Sequence, residues 1–238
     1  MMIKTDSIPT VKLLHGLIKQ NRIEEFKNLP ELWVFGYGSL VWLPKFDFSE
    51  KTVGHVNGFS RRFYQGNSTH RGIPGRPGRV ATLLRSEKSE EKTYGTAFRL
   101  HGKIEIEQAM EHLNMRESTL GGYILDVSIF HSIDGTAIPV VFYVATADNE
   151  QYTGVESLTQ LAEIIASSTG PSGTNREYLF KLADWQRQNL PDVNDEHLYG
   201  LEKLTKRVIQ NTEMPKPLKI KQNRRNSANF KDFHRLRL

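Results

Sequence analysis

Two short stretches of this chain combine residue types and spacing that could do chemistry. In Val34-Phe35-Gly36-Tyr37-Gly38-Ser39-Leu40, an apolar run ends in two glycines spaced two apart and a serine. Glycine reaches backbone conformations closed to other residues, so consecutive N–H groups here can turn toward one point and hold a carboxylate or phosphate. Ser39 would add a hydroxyl donor; the competing reading is a plain tight turn. In Asn114-Met115-Arg116-Glu117-Ser118-Thr119-Leu120-Gly121-Gly122-Tyr123, a carboxylate falls where a helix should stop, just before a double glycine that redirects the chain. Glu117 there is either a proton-transfer group facing a cleft or a solvated side chain paired with Arg116.

Three weaker signals accompany these. Basic and aromatic residues alternate through Arg61-Arg62-Phe63-Tyr64 and continue in His70-Arg71-Gly72 and Pro77-Gly78-Arg79. An arginine such as Arg79 can clamp a substrate carboxylate with two parallel N–H groups, or lock the loop internally. Gly170-Pro171-Ser172-Gly173-Thr174 opens a helix whose free N–H groups could face an anion, and Tyr143 could point a hydroxyl inward or serve as ordinary core. Two motifs are excluded: Val41 stands where a dinucleotide fingerprint needs its third glycine and where a serine-hydrolase elbow needs its second.

The elements that must position these residues change character along the chain. Val11, Leu14, Leu17, Ile18, Ile23 and Phe26 recur near helical spacing, predicting one helix or a broken pair over Thr10 to Leu29 that Pro30 closes. Strands are expected near Leu32 to Phe35, Gly54 to Gln65, Arg79 to Arg85, Tyr94 to Leu100, Tyr123 to Phe130 and Pro139 to Thr146. Six strands with few helices between them favour an α+β fold built on an antiparallel or mixed barrel. A helix is expected at about Ile106 to Met115. The second half reads as helices, one of them opened by a capping box of Thr174 with Glu177. The expected division is 1–30 as an N-terminal helical extension, 31–210 as the working domain and 211–238 as a basic tail.

Charge is placed unevenly. Between residues 214 and 238 stand eight Lys/Arg against one Asp, a charge of +7, so a total of +5 leaves −2 for the rest. The body therefore gives no reason to expect nucleic acid as its partner. The chain has no cysteine, which excludes disulfides and thiolate metal sites, and its eight histidines lack ligand spacing. No metal is expected. No apolar run approaches a membrane span and no signal-peptide core is visible near the start, so the cytoplasm is the expectation. Sequence is silent on oligomeric state, and a monomer is expected only by default.

Taken together, the stretches resemble the ChaC family of γ-glutamylcyclotransferases specific for glutathione. The resemblance rests on Val34 to Trp42, on Ser60-Arg61-Arg62-Phe63, on His70-Arg71-Gly72 with Pro77-Gly78-Arg79-Val80, on Arg116-Glu117 before Gly121-Gly122-Tyr123, and on Gly170 to Gly173 with Glu177-Tyr178-Leu179, in family order. It implies a small closed barrel of six strands with flanking helices, and no cofactor. The implied reaction is attack of the γ-glutamyl α-amine on its own γ-carbonyl, giving 5-oxoproline and Cys-Gly from glutathione. Glu117 matches the family's catalytic acid/base, and Val34 to Leu40 matches the loop that holds the γ-glutamyl group. Substrate contacts from Arg79 and Tyr143 are inferred from residue type and placement. Other γ-glutamyl compounds as substrates, or a non-catalytic binding role on the same fold, remain open from sequence.

Overall fold

The computed structural model describes residues 9–213. The expected basic tail lies almost entirely outside the described residues. Strands β1 (Glu31–Gly36), β2 (Glu50–Asn57), β5 (Lys92–His101), β6 (Ile124–Ser132) and β7 (Ala137–Val144) close into a barrel in the order β1-β5-β2-β6-β7. All neighbours are antiparallel except β1 with β7, whose parallel pairing at Val34 and Val141 completes the ring.

The barrel therefore has five strands, which corrects the expected six. The stretch Gly54 to Gln65 is two strands, not one. It breaks at Gly58, whose φ of +76° turns the chain out of β2 and into β3 (Phe59–Asn67). β3 pairs along its length with β4 (Gly78–Arg85), in a separate ribbon with a bulge between Arg62 and Gln65, and Gln65 makes one isolated bridge to Tyr152.

The run Leu32 to Phe35 is apolar throughout because β1 is buried on both faces. Successive side chains of a strand point to opposite sides. Phe35 joins a cluster with Phe59, Phe130 and Phe142, ring centroids 5.2–6.2 Å apart, over which the β3–β4 ribbon and the C-terminal helices pack. Val34 and Leu32 face the other way, into a cluster with Phe98, Leu100 and Val141. Helix α1 (Pro9–Lys19) and a 3₁₀ turn (Ile23–Asn28) cover that second cluster through Leu14, Leu17 and Phe26, together with α2 (Gly102–Leu113). The N-terminal segment is thus a broken pair, one of the two forms its periodicity allowed.

Helices α3 (Leu158–Ser167), α4 (Asn175–Asn189) and α5 (Glu196–Glu213) form the second half. The expected Thr174 cap is half realised: its hydroxyl accepts from the Glu177 N–H, while the Glu177 side chain turns to Arg71 and Lys181. Ser157 and Gln160 make a complete box at the start of α3. Among the described residues no helix is long and apolar enough to cross a membrane.

Candidate active site

β1 delivers the Gly36-to-Leu40 loop to one end of the barrel, and a 3₁₀ turn over Ser39–Val41 folds it back on itself. The Val41 N–H donates to the Gly38 carbonyl (3.2 Å) and the Leu43 N–H to that of Ser39 (2.9 Å). Among the described residues nothing accepts from the amides of Gly38, Ser39 or Leu40, which leaves a short run of donors for an anion. Gly38 is required here by space: a Cβ would stand 2.7 Å from the Tyr178 hydroxyl.

The glutamate arrives from a different element. Past α2 the chain widens into one π-helical turn, Asn114–Thr119, in which the Leu120 N–H reaches back to the Met115 carbonyl (3.2 Å). Such a turn changes where side chains point relative to the helix before it. The turn is stopped by Gly122 at φ +66°, and the Gly121 carbonyl accepts from Gln65 Nε2 (3.0 Å) and Asn149 Nδ2 (3.1 Å). The Tyr123 N–H closes back on the Glu117 carbonyl at 2.9 Å.

A single guanidinium joins the two stretches. Arg116 Nε lies 3.0 Å from Glu117 Oε1, while its terminal nitrogens donate to Ser39 Oγ and, at 3.4 Å, to the Leu43 carbonyl. Only 18% of the Glu117 side chain remains open, and burial raises its pKa against the smaller opposing effect of Arg116. Both stretches line one cleft of about 290 Å³.

Four tyrosines form its buried floor. The Tyr37 hydroxyl donates to the Tyr143 carbonyl (2.6 Å), Tyr123 donates to the Ala81 carbonyl (2.9 Å), and Tyr178 accepts from the Ala81 N–H (3.2 Å). The buried Tyr143 hydroxyl has no partner among the described residues. Burial raises all four phenols above their ordinary range and the charge of Glu117 adds to it, so they stay protonated at neutral pH.

The structure brings most of the sequence-predicted residues to this cleft, and it leaves two out. Phe35, Gly36, Tyr37, Gly38, Ser39, Leu40, Tyr143 and Glu117 all line it. Val34 packs in the cluster under α1 and α2 instead. Arg79, expected from its type to contact substrate, is held away by Glu156 through Nε (2.6 Å) and Nη2 (2.9 Å). Its backbone is fixed as well: Asn175 Oδ1 accepts from the Arg79 N–H (2.6 Å) and Asn175 Nδ2 donates to the Arg79 carbonyl (2.8 Å). The neighbouring His70 and Arg71 reach the cleft instead, with His70 Nδ1 3.2 Å from Ser172 Oγ and Arg71 paired to Glu177 at 2.9 Å. Met115, from the stretch that carries Glu117, lines the cleft as well, and so do Lys45 and His112, which nothing local in their sequence marks.

The ChaC-like protein family model matches residues 32–208. The chain belongs to the ChaC-like family. It is 44% identical over 172 residues to a Homo sapiens protein named glutathione-specific γ-glutamylcyclotransferase 1, covering 71% of this chain and 76% of that one. The Danio rerio protein of the same name is 42% identical over 173 residues (72% and 87% covered). A Schizosaccharomyces pombe protein named glutathione-specific γ-glutamylcyclotransferase is 35% identical over 196 residues, covering 76% and 95%. The crystal structure of a γ-glutamyl cyclotransferase specific to glutathione from yeast superposes with a TM-score of 0.71 at 27% identity, covering 78% of this chain and all of that one. The match to the ChaC-like family begins at β1 and ends within α5, so it takes in every residue lining the cleft.

Proposed function

We propose that this protein cleaves glutathione by intramolecular cyclisation, releasing 5-oxoproline and Cys-Gly, with Glu117 as the general base and then the general acid. One observation carries the reading: a desolvated carboxylate is tied by Arg116 to a loop of unengaged backbone amides across a single cleft. The named relatives give the substrate class.

The α-ammonium of the γ-glutamyl group must lose a proton before it can attack. Glu117, its pKa raised by burial, accepts that proton, and the free amine then forms a bond to the γ-carbonyl carbon. The five-membered ring closes as the amide C–N bond breaks, and Glu117 returns the proton to the departing cysteine nitrogen. Water is not consumed. The Gly38-to-Leu40 amides suit the α-carboxylate or the oxyanion that develops on the γ-carbonyl oxygen, and pinning the γ-glutamyl chain in its curled form accounts for much of the rate. The protonated Tyr143 hydroxyl offers one more donor at the floor. The proposed working unit is the 31–210 segment of a monomer. Freedom from cysteine suits a reducing, cytoplasmic setting, where this substrate is found as the thiol.

The test is product analysis with purified protein and glutathione. Equal amounts of 5-oxoproline and Cys-Gly are expected, with neither from Glu117→Gln. Turnover of γ-glutamyl amino acids or amines in preference to glutathione would change the substrate. Folded protein inactive on all of them would remove the catalytic reading.

A further inference from the structure

The cleft has a buried tyrosine floor and an open mouth, and its charge is unevenly satisfied. Three basic side chains with permanent charge line it: Lys45, Arg71 and Arg116. Arg71 is paired with Glu177 (2.9 Å) and Arg116 with Glu117 (3.0 Å). Lys45 forms no ion pair among the described residues, although it is exposed at the mouth. Its place is held: its φ of 59° is a left-handed conformation uncommon outside glycine, and the next residue, Phe46, is anchored edge-on to Phe98 at 5.6 Å. His70 and His112 line the same mouth, and both are kept neutral near pH 7, by burial first and then by the charges of Arg116 and Lys45. The ammonium of Lys45 is the one permanent cation of the cleft without an ion pair among the described residues.

We propose that Lys45 binds the glycine carboxylate of glutathione and gives this enzyme its preference for γ-glutamyl substrates that end in a free carboxylate. The assignment rests on the reaction proposed for this cleft. Reach supports it. The Cys-Gly half extends two residues, about 7 Å, beyond the scissile bond. Arg116 touches both Glu117 and the Leu43 carbonyl, and Lys45 lies two residues past Leu43. Lys45 and Glu117 line the same cleft, so a substrate seated with its γ-carbonyl beside Glu117 extends its Cys-Gly half through a space that the ammonium also borders. A flexible lysine in open solvent gives a moderate contribution that falls with salt.

The experiment compares glutathione with its glycine-amide form in wild type, Lys45→Gln and Lys45→Arg. Wild type should favour the carboxylate in kcat/KM by about 2- to 5-fold, mostly through KM, and 0.5 M NaCl should shrink that preference. Lys45→Gln should bring the ratio near one, and Lys45→Arg should restore most of it. A wild-type ratio near one, or an unchanged ratio in Lys45→Gln, would overturn the assignment while leaving the cyclisation intact. Calorimetry with the same two compounds in a Glu117→Gln background reads the discrimination without turnover. If wild type makes no 5-oxoproline, that binding comparison still decides: tighter binding of the carboxylate form that vanishes with Lys45→Gln upholds the lysine, and equal or absent binding of both overturns it.

Discussion

Two arginine–glutamate pairs in this protein show what the same partners do in different geometry. Arg79 and Glu156 meet through two nitrogens and two oxygens at 2.6 and 2.9 Å, and the Glu156 pKa is lowered, chiefly by that hydrogen bonding. Arg116 meets Glu117 through one nitrogen at 3.0 Å and spends its others on Ser39 and Leu43, and the Glu117 pKa is raised. A carboxylate is fixed as an anion when the fork closes on it fully. It stays poised for proton transfer when burial outweighs a partial contact. The first pair makes scaffold, and the second has the character that the proposed base requires.

The largest expected effect comes from removing the carboxylate proposed as the base. Glu117→Gln should lower kcat for glutathione by roughly 10³-fold, within the range of general acid–base contributions. Its stability should not suffer. A carboxyl group whose folded pKa is raised binds more protons folded than unfolded, so it costs stability as pH rises through that window, and the neutral amide escapes the cost. Melting curves at pH 7 that place the variant at or above wild type, beside lost turnover, fit this account; a clearly lowered midpoint would mean that the carboxylate is structural.

The opposite pattern is expected at the other pair. Glu156→Gln leaves a guanidinium that is only 9% exposed without its anion, at a cost of about 2–4 kcal/mol by urea unfolding. Below the melting range, glutathione turnover should stay within about threefold of wild type. The lowered Glu156 pKa gives stability that is present above the ordinary carboxylate range and lost as pH falls through the lowered value, so the gap between variant and wild type should narrow in acid. A turnover defect larger than the stability defect would return Arg79 to the substrate.

These two glutamates also mark where sequence was legible and where it was not. The Gly36-to-Leu40 loop, the placement of Glu117 before Gly121-Gly122, and the start of α4 at Thr174 are local signals of backbone conformation, and they were readable. The partner of Arg79 lies 77 residues away in a loop, so residue type alone suggested a substrate clamp. The barrel count failed for a similar reason. β2 and β3 are both rich in strand formers and are separated by Gly58 alone, so they read as one strand, and nothing local says that β3 pairs away from the barrel. Lys45 and His112 meet only through the tertiary fold.

His197 extends the comparison to a half-buried group whose strongest influence is still its partial burial. Its Nε2 accepts from the Phe63 N–H (3.3 Å), and burial first, then Arg62, lowers its pKa to about 4. The unfolded chain binds this proton near pH 6.5 and the folded one only near 4, so stability is present above pH 6.5 and lost as pH falls toward 4. The loss from this group between pH 7.5 and 5 should be roughly 2 kcal/mol. Urea midpoints for His197→Gln, which keeps an acceptor, should fall less over that interval than those of wild type. Equal falls would show that the folded protein accepts the proton without penalty.

The smallest effect tests the cleft pair directly. Arg116 opposes the rise that burial produces in Glu117, so Arg116→Met should move the acid limb of kcat/KM to higher pH by about one unit. Activity at pH 7 falls for two reasons, then: a smaller fraction of Glu117 is ionised, and the tie from Glu117 through the guanidinium to Ser39 and Leu43 is gone. Raising the pH recovers the first loss and not the second, so the two are separable in one profile. Arg116→Lys should leave the limb near its wild-type position, because the charge is kept, while the plateau stays low, because an ammonium cannot span glutamate, hydroxyl and carbonyl with a fixed fork. A limb that stays put in Arg116→Met, or moves to lower pH, would mean that the arginine acts only by holding the loop, and the contrast with Arg79 would then be one of place and not of proton affinity.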